Sequence, residues 1–323
     1  TQAYFSIRGT KGLLEYIDEI KPDVVHLNNL HANYINLEIL LKHLGSNNIP
    51  TIITLHDCWF YTGKCCHYTV DNCYKWQHGC GGCPRLRKDN PSWFFDRTKT
   101  MWQDKKLLFE NIPRLAVIGV SDWITNEAKH SLLSSAKMIT RVYNWIDLEI
   151  FKPVSSERLI EKYGIEDKFI ILGVASDWSN EKGLNKFIEL SKIISDKYKI
   201  VLVGSQSSES RIPSNIITIS RTEKIDELVQ LYSMANVFLT LSKEESFGKV
   251  SAEALACGTP VIAYRSTANL ELVGDGCGYV IESNEINEVA NAISKVYKKG
   301  KEFYSENCIA FSKANFNKDD RIS

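Results

Sequence analysis

Short runs of β-branched and aliphatic residues alternate with stretches of helical period along the whole chain. In the first half the apolar runs are 23–27 (DVVHL), 51–55 (TIITL), 115–120 (LAVIGV) and 139–143. Between the first two, Ile35, Ile39, Leu40 and Leu44 recur at the spacing of one helix face, which predicts a helix over 34–44. Near-continuous apolar strands are buried on both faces, so strand, helix, strand in this rhythm predicts parallel βαβ units. The second half repeats it, with strands at 169–175, 199–204, 215–220, 237–241, 261–264 and 278–281 and helices over 182–195, 223–233, 247–256 and 285–298. A polar link, 151–167, places the hinge near residue 150 and divides the chain into domains 1–150 and 151–323. The fold class read from this is α/β, two doubly wound domains facing a cleft, with ligands beyond the carboxyl ends of the strands. The first half offers about four strands against six in the second, and the final FNKDDRIS stops where a helix would continue. Both ends therefore read as incomplete.

Composition leaves this picture intact. A chain of 323 residues has room for two cores. At 44% apolar and 24% charged it is neither collagen-like, coiled-coil nor disordered. Lys+Arg and Asp+Glu both total 39, and zero net charge disfavours a dedicated nucleic-acid binder. No apolar run approaches the roughly 20 residues of a membrane span. No signal peptide is visible, and the opening TQAYFSIRG without Met reads as a fragment. Six of the nine cysteines crowd into 58–83 rather than spreading through the chain, which predicts a reducing, cytoplasmic setting with one local cluster.

The richest chemistry lies in 239–264, LTLSKEESFGKVSAEALACGTPVIAY. A buried strand ends at Leu241, a polar turn follows, and a helix begins whose free N–H groups and dipole suit a phosphate. Glu245 and Glu253 sit eight apart, at the loop and two turns into the helix. There they either accept hydrogen bonds from ribose hydroxyls or are two solvated helix glutamates.

The run from Glu245 through Ser246, Phe247 and Gly248 to Glu253, continuing over Ala254, Ala256, Gly258, Pro260 and Val261, resembles the E-x7-E signature of retaining glycosyltransferases of family 4. These have the GT-B fold of two Rossmann-like domains. Three other segments resemble family elements in the family's order: 170–183 (IILGVASDWSNEKG) its strand-loop-Lys-Gly element, 142–153 (VYNWIDLEIFKP) its hinge strand, and 54–57 (TLHD) its first-domain histidine loop. The resemblance implies that Glu253 binds the nucleotide's ribose and that Glu245 faces the donor sugar near its 3- and 4-hydroxyls. It implies that the backbone of Ser246, Phe247, Gly248 and Lys249 meets sugar and phosphates. Lys182 would neutralise the departing diphosphate, where a fixed cation is a catalytic device. His56 would lie near the sugar, unless it is a satisfied strand-end histidine. The chain departs from the pattern where Asp177 stands in place of the usual diphosphate Arg, with Arg211, Arg221 or Lys249 as candidate substitutes. Trp145 replaces the hinge glycine, and the family's N-terminal glycine-rich loop is not seen.

Cys80-Gly-Gly-Cys83 is a C-x2-C knuckle, and with Cys65 and Cys73 it suits a tetrahedral structural zinc site. Cys58, Cys66, His67 and His78 are alternative ligands, and a loop of free thiols is the plain alternative. With TLHDCWFYTG, the cysteine-rich insert 58–84 resembles a bacterial surface-polysaccharide branch of the family. Such an enzyme uses no catalytic metal. Across 85–109, Phe94, Met101 and Leu108, and Phe95, Trp102 and Phe109, recur by sevens beside Arg85, Arg87, Lys88, Arg97, Lys99, Lys105 and Lys106, against Asp89, Asp96 and Asp104. This predicts a helix that either faces a core or meets an anionic membrane carrying a lipid-linked acceptor.

The expected activity is transfer of a sugar from a UDP- or GDP-sugar to a carbohydrate or polyprenyl-linked saccharide acceptor with retention, in capsule, O-antigen or exopolysaccharide synthesis. The setting would be the cytoplasm, peripherally at the inner face of the plasma membrane, with no nucleic-acid partner. The competing readings are a GT-B nucleotide-sugar epimerase, which needs no acceptor, and a zinc-knuckle nucleic-acid-binding module.

Overall fold

The computed structural model describes residues 3–88, 91–92, 94–206 and 212–322. The chain forms two compact units, 1–142 and 143–323. The first contains α1 (Ile7–Ile20), β1 (Val25–Leu27), α2 (Leu37–Ser46), β2 (Thr51–Leu55), α3 (Thr98–Glu110), β3 (Leu115–Gly119), α4 (Asp122–Lys129) and β4 (Met138–Arg141). Its four strands pair in parallel in the order β1-β2-β3-β4. Ile53, Leu55, Leu115 and Val117 are buried in the sheet, and α2 buries Leu37, Leu40, Leu41 and Leu44. Helix α2 starts where the Asn36 side chain accepts the Ile39 N–H at 3.0 Å.

The second unit contains α5 (Glu157–Tyr163), β5 (Phe169–Trp178), α6 (Leu184–Ile193), β6 (Tyr198–Gln206), β7 (Ile216–Ile219), α7 (Ile225–Met234), β8 (Val237–Thr240), α8 (Lys249–Ala256), β9 (Val261–Tyr264), α9 (Asn269–Leu272), β10 (Gly278–Ile281), α10 (Ile286–Lys299), α11 (Glu302–Phe316) and α12 (Asp319–Ile322). The six parallel strands run β10-β9-β8-β5-β6-β7. From the other edge this is the order 3-2-1-4-5-6, whose direction of winding reverses between β5 and β8. Strands β8 and β9 are buried along their whole length, which is why both read as unbroken apolar runs. The division after Val142 has a physical basis. Ile146 N–H donates to Phe316 O at 2.7 Å, and the Tyr143 ring packs on Phe247 and Phe316, so the segment before residue 150 is held by the second unit.

The expected helical stripe over 85–109 is shorter than its sevenfold spacing implies. Helix α3 begins at Thr98, and its Met101, Trp102, Leu108 and Phe109 are buried. Phe94 and Phe95 lie before it and are exposed. Two of the expected surface cations are also interior. Arg85 pairs with Asp71. Lys105 is fully buried, donates to the carbonyls of Trp59 and Thr62, and lies over the Trp59 ring at 3.5 Å. Burial pushes its ammonium down to about 7. Asp89 lies outside the described residues.

Candidate functional site

The reversal between β5 and β8 brings two loops together at the carboxyl ends of those strands. Lys182 follows β5, Glu245 follows β8, and Lys182 Nζ lies 2.6 Å from Glu245 Oε1. The loops are joined through their backbones as well, with Lys243 N–H donating to Glu181 O at 3.1 Å. Gly183 makes this approach possible. Its φ is +83°, and a Cβ there would stand 2.6 Å from the Leu241 carbonyl oxygen. Glu245 is fixed from its other side, where its N–H donates to Thr267 Oγ1 at 2.8 Å and its carbonyl accepts that hydroxyl at 2.7 Å.

Helix α8 starts at Gly248, whose φ of +90° turns the chain into the helix. Around this start are polar atoms that are buried without a hydrogen-bond partner: Ser246 Oγ, Ser251 Oγ and Asn269 Oδ1. A Cβ on Gly248 would stand 3.8 Å from both Ser251 Oγ and Asn269 Oδ1. Orphaned buried polar groups are costly in a protein interior, and here they border a helix N-terminus. An anionic, hydroxyl-bearing ligand fits that chemistry.

Glu253 lies deeper on α8. Its Oε2 accepts the fully buried Tyr232 hydroxyl at 2.9 Å. Burial raises its carboxyl above the ordinary range, against the Tyr232 hydrogen bond and the Lys249 charge, which lower it. Lys249 Nζ stands 4.0 Å from Glu253 Oε1, and its side chain is largely exposed. Phe247 points into the core, 3% exposed. Among the candidates for the missing diphosphate arginine, Arg221 is exposed and Arg211 lies outside the described residues. Asp177 is exposed.

In the first unit the carboxyl ends of β1 and β2 carry a second polar group. His56 Nε2 lies 3.0 Å from Asn28 Oδ1. His31 Nε2 lies 3.1 Å from Asp57 Oδ2, while Asp57 Oδ1 accepts the Trp59 N–H at 2.8 Å. Burial holds the His56 imidazole below its usual value. The Asp57 hydrogen bond raises His31. Burial pushes Asp57 up, but its hydrogen bonds to His31 and Trp59 N–H bring it below the usual carboxylate value. A two-dimensional NMR pH titration should therefore show His31 protonating above 6.5 and His56 below it. The His31 contribution to stability is fully present below 6.5 and is lost as pH rises through its raised folded value. The reverse order of the two histidines would contradict this geometry.

The expected zinc tetrahedron is not preformed among the described residues. Cys65, Cys73, Cys80 and Cys83 do line one small cavity. Four thiolates on one zinc stand about 3.8 Å apart, from Zn–S bonds of about 2.3 Å. Cys65 and Cys83 stand at such a distance, 3.9 Å. Cys80 Sγ is turned instead to the Gly63 N–H, at 3.2 Å. Among the described residues the group of three ligand atoms that lie within 4.8 Å of one another is His31, Asp57 and Cys66.

Residues 155–314 match the family "Glycosyl transferases group 1", and residues 1–150 match "Glycosyltransferase Family 4". The chain belongs to the group 1, family 4 glycosyltransferases. This glycosyltransferase chain is 28% identical over 200 residues to the capsular polysaccharide biosynthesis glycosyltransferase CapM of Staphylococcus aureus, covering 56% of this chain and 51% of that protein. It spans about half the length of the curated relatives it matches. Among solved structures it is similar to sucrose-phosphate synthase of Thermosynechococcus elongatus, at TM-score 0.73 and 18% identity over 96% of this chain and 74% of that one. It is also similar to HepE of Anabaena, solved in complex with UDP, at TM-score 0.69 and 19% identity over 95% and 78%. These likenesses show the GT-B fold, built from two parallel-sheet α/β units.

In this glycosyltransferase, sequence reasoning missed the partners that hold the site. Tyr232, Thr267 and Asn269 reach it from other elements and carry no local motif. Asn28 and His31 had a visible signal, a polar LNNLH directly after a strand.

Proposed function

We propose that this chain transfers a sugar from a nucleotide-sugar, UDP- or GDP-linked, to a saccharide or polyprenyl-linked acceptor with retention of anomeric configuration, in bacterial surface-polysaccharide assembly. The observation that carries the reading is the contact of Lys182 with Glu245 at the winding reversal, beside the unpartnered polar atoms at the start of α8. HepE, of the same fold, is solved with UDP, and CapM is named for capsular polysaccharide, which supports the donor class and the pathway.

In this reading Glu253 accepts the ribose hydroxyls, and the backbone of residues 246–249 meets the phosphates. Glu245 holds the donor sugar's 3- and 4-hydroxyls, with Ser246, Phe247 and Gly248 shaping the loop. Donor binding exchanges partners: the diphosphate takes Lys182 from Glu245, and the sugar hydroxyls take Glu245. As the glycosidic bond breaks, negative charge grows on the diphosphate and its attraction to the ammonium strengthens, which lowers the barrier. His56, neutral at pH 7, serves the sugar as a hydrogen-bonding group. Exposed Phe94 and Phe95, beside Arg97 and Lys99, are the surface assigned to an anionic membrane that presents the acceptor. No helix among the described residues is long and apolar enough to cross a membrane.

The test is incubation of the chain with a panel of UDP- and GDP-sugars, with and without lipid-linked saccharide, reading released nucleotide. One donor should release nucleotide in an acceptor-dependent way. Conversion of the sugar to its epimer without acceptor, or no reaction with any donor, would contradict the reading.

A further inference from the structure

The cysteines of the loop between β2 and α3 take no part in the proposed transfer, yet the loop's backbone is tied down at many points. Thr62 Oγ1 donates to Cys65 O at 2.7 Å, and Lys64 Nζ donates to the carbonyls of Leu86 and Lys88. Lys75 Nζ spans the carbonyls of Gly81 and Gly82, which closes the C-x2-C turn. Cys83 N–H donates to Asp96 Oδ2 at 2.8 Å, and Asp96 in turn accepts from Thr98 at the start of α3. Within this frame two sulfurs meet. Cys65 Sγ and Cys83 Sγ are 3.9 Å apart, across 18 positions of sequence.

We propose that Cys65 and Cys83 are a redox pair that closes to a disulfide when a low-molecular-weight disulfide is the oxidant. A disulfide needs its sulfurs at about 2.05 Å, so the two must close by nearly 2 Å, a movement on the scale of side-chain rotation. Cys83 is partly exposed and within reach of a solvent-borne oxidant, whereas Cys65 is buried. This sets the order of events. The Cys83 thiolate attacks one sulfur of the oxidant, a mixed disulfide forms, and one thiolate leaves. The Cys65 thiolate then attacks the Cys83 sulfur and expels the second thiolate. The protein loses two electrons and two protons, and the oxidant becomes two thiols. Cys80 shares the cavity but is engaged by the Gly63 N–H. The closed bond would cross-link the stretch that carries buried Tyr68 and Trp76, in the loop that leaves His56 and Asp57.

The experiment treats the reduced, metal-free full chain with oxidised glutathione and maps its peptides by mass spectrometry, beside metal analysis of the protein as purified. The expected result is one internal disulfide joining Cys65 to Cys83, reversed by dithiothreitol. It should be retained in Cys73→Ser and Cys80→Ser and absent in Cys83→Ser, which should instead stay free of any internal link. A dominant link through Cys73 or Cys80, or no internal disulfide after the Cys83 thiol has reacted with glutathione, would overturn the proposal. So would one zinc per chain in the purified protein that protects all four thiols until it is chelated.

Discussion

Replacing Lys182 with alanine is expected to lower turnover by roughly 100-fold or more. The ammonium already stands in the site, 2.6 Å from Glu245, on a loop fixed by the close approach of Gly183 to Leu241. A group held in place before reaction costs no reorganisation when charge develops on the departing diphosphate. Its interaction is therefore stronger in the transition state than with bound donor, and its loss should fall mainly on kcat. Steady-state nucleotide release checks this once the donor is known. A fully active Lys182→Ala variant would remove the lysine from the chemistry.

The largest stability effect is expected at Phe247. Truncation to alanine should destabilise the second unit by about 3–5 kcal/mol, the range for a buried Phe. The ring is 3% exposed, 5.8 Å from the Tyr143 ring and 5.4 Å from Phe316, and those two rings also touch each other at 5.5 Å. One aromatic cluster thus joins the site loop, the segment entering the second unit and the end of α11. Urea unfolding followed by a probe of the second unit measures the loss. A change below about 0.5 kcal/mol, the scale of ordinary surface substitutions, would mean that the cluster does not anchor the loop. A variant that folds should also bind nucleotide more weakly, because Phe247 sits between Glu245 and Glu253 on the chain.

The parallel architecture was legible because buried strands leave an unbroken apolar signature over a few residues, as in Val261–Tyr264. The start of α8 was legible for the same reason: a strand, a polar turn and a helix are local events. Resemblance assigns Lys182 to the diphosphate and Glu245 to the sugar, but their contact with each other was not legible, since 63 positions separate them and only the strand order brings them together. The sevenfold spacing from Phe94 to Leu108 misled in part. Two turns of it fall on α3, but Phe94 and Phe95 precede the helix and face solvent. Lys105 misled for a deeper reason. A lysine reads as surface, yet two carbonyls and the Trp59 ring hold this one in the interior. The cysteine spacing suggests a tetrahedron, which the structure does not test, and spacing does not say where each sulfur turns. Cys80 faces a backbone amide, and Cys83 faces Cys65.

The central claim is that the second unit binds a nucleoside diphosphate through Glu253 and the start of α8, with Glu245 reserved for the sugar. Calorimetric titration of UDP and GDP into the wild type, Glu253→Ala and Glu245→Ala tests it without knowledge of the acceptor. The wild type should bind one of the two. Glu253→Ala should weaken that binding by about 1–3 kcal/mol, roughly 5- to 150-fold in Kd, as expected for lost hydrogen bonds to a charged group. Glu245→Ala should leave it nearly unchanged. Loss of binding in Glu245→Ala with full binding in folded Glu253→Ala, or no binding of either nucleotide by the wild type, would contradict the account.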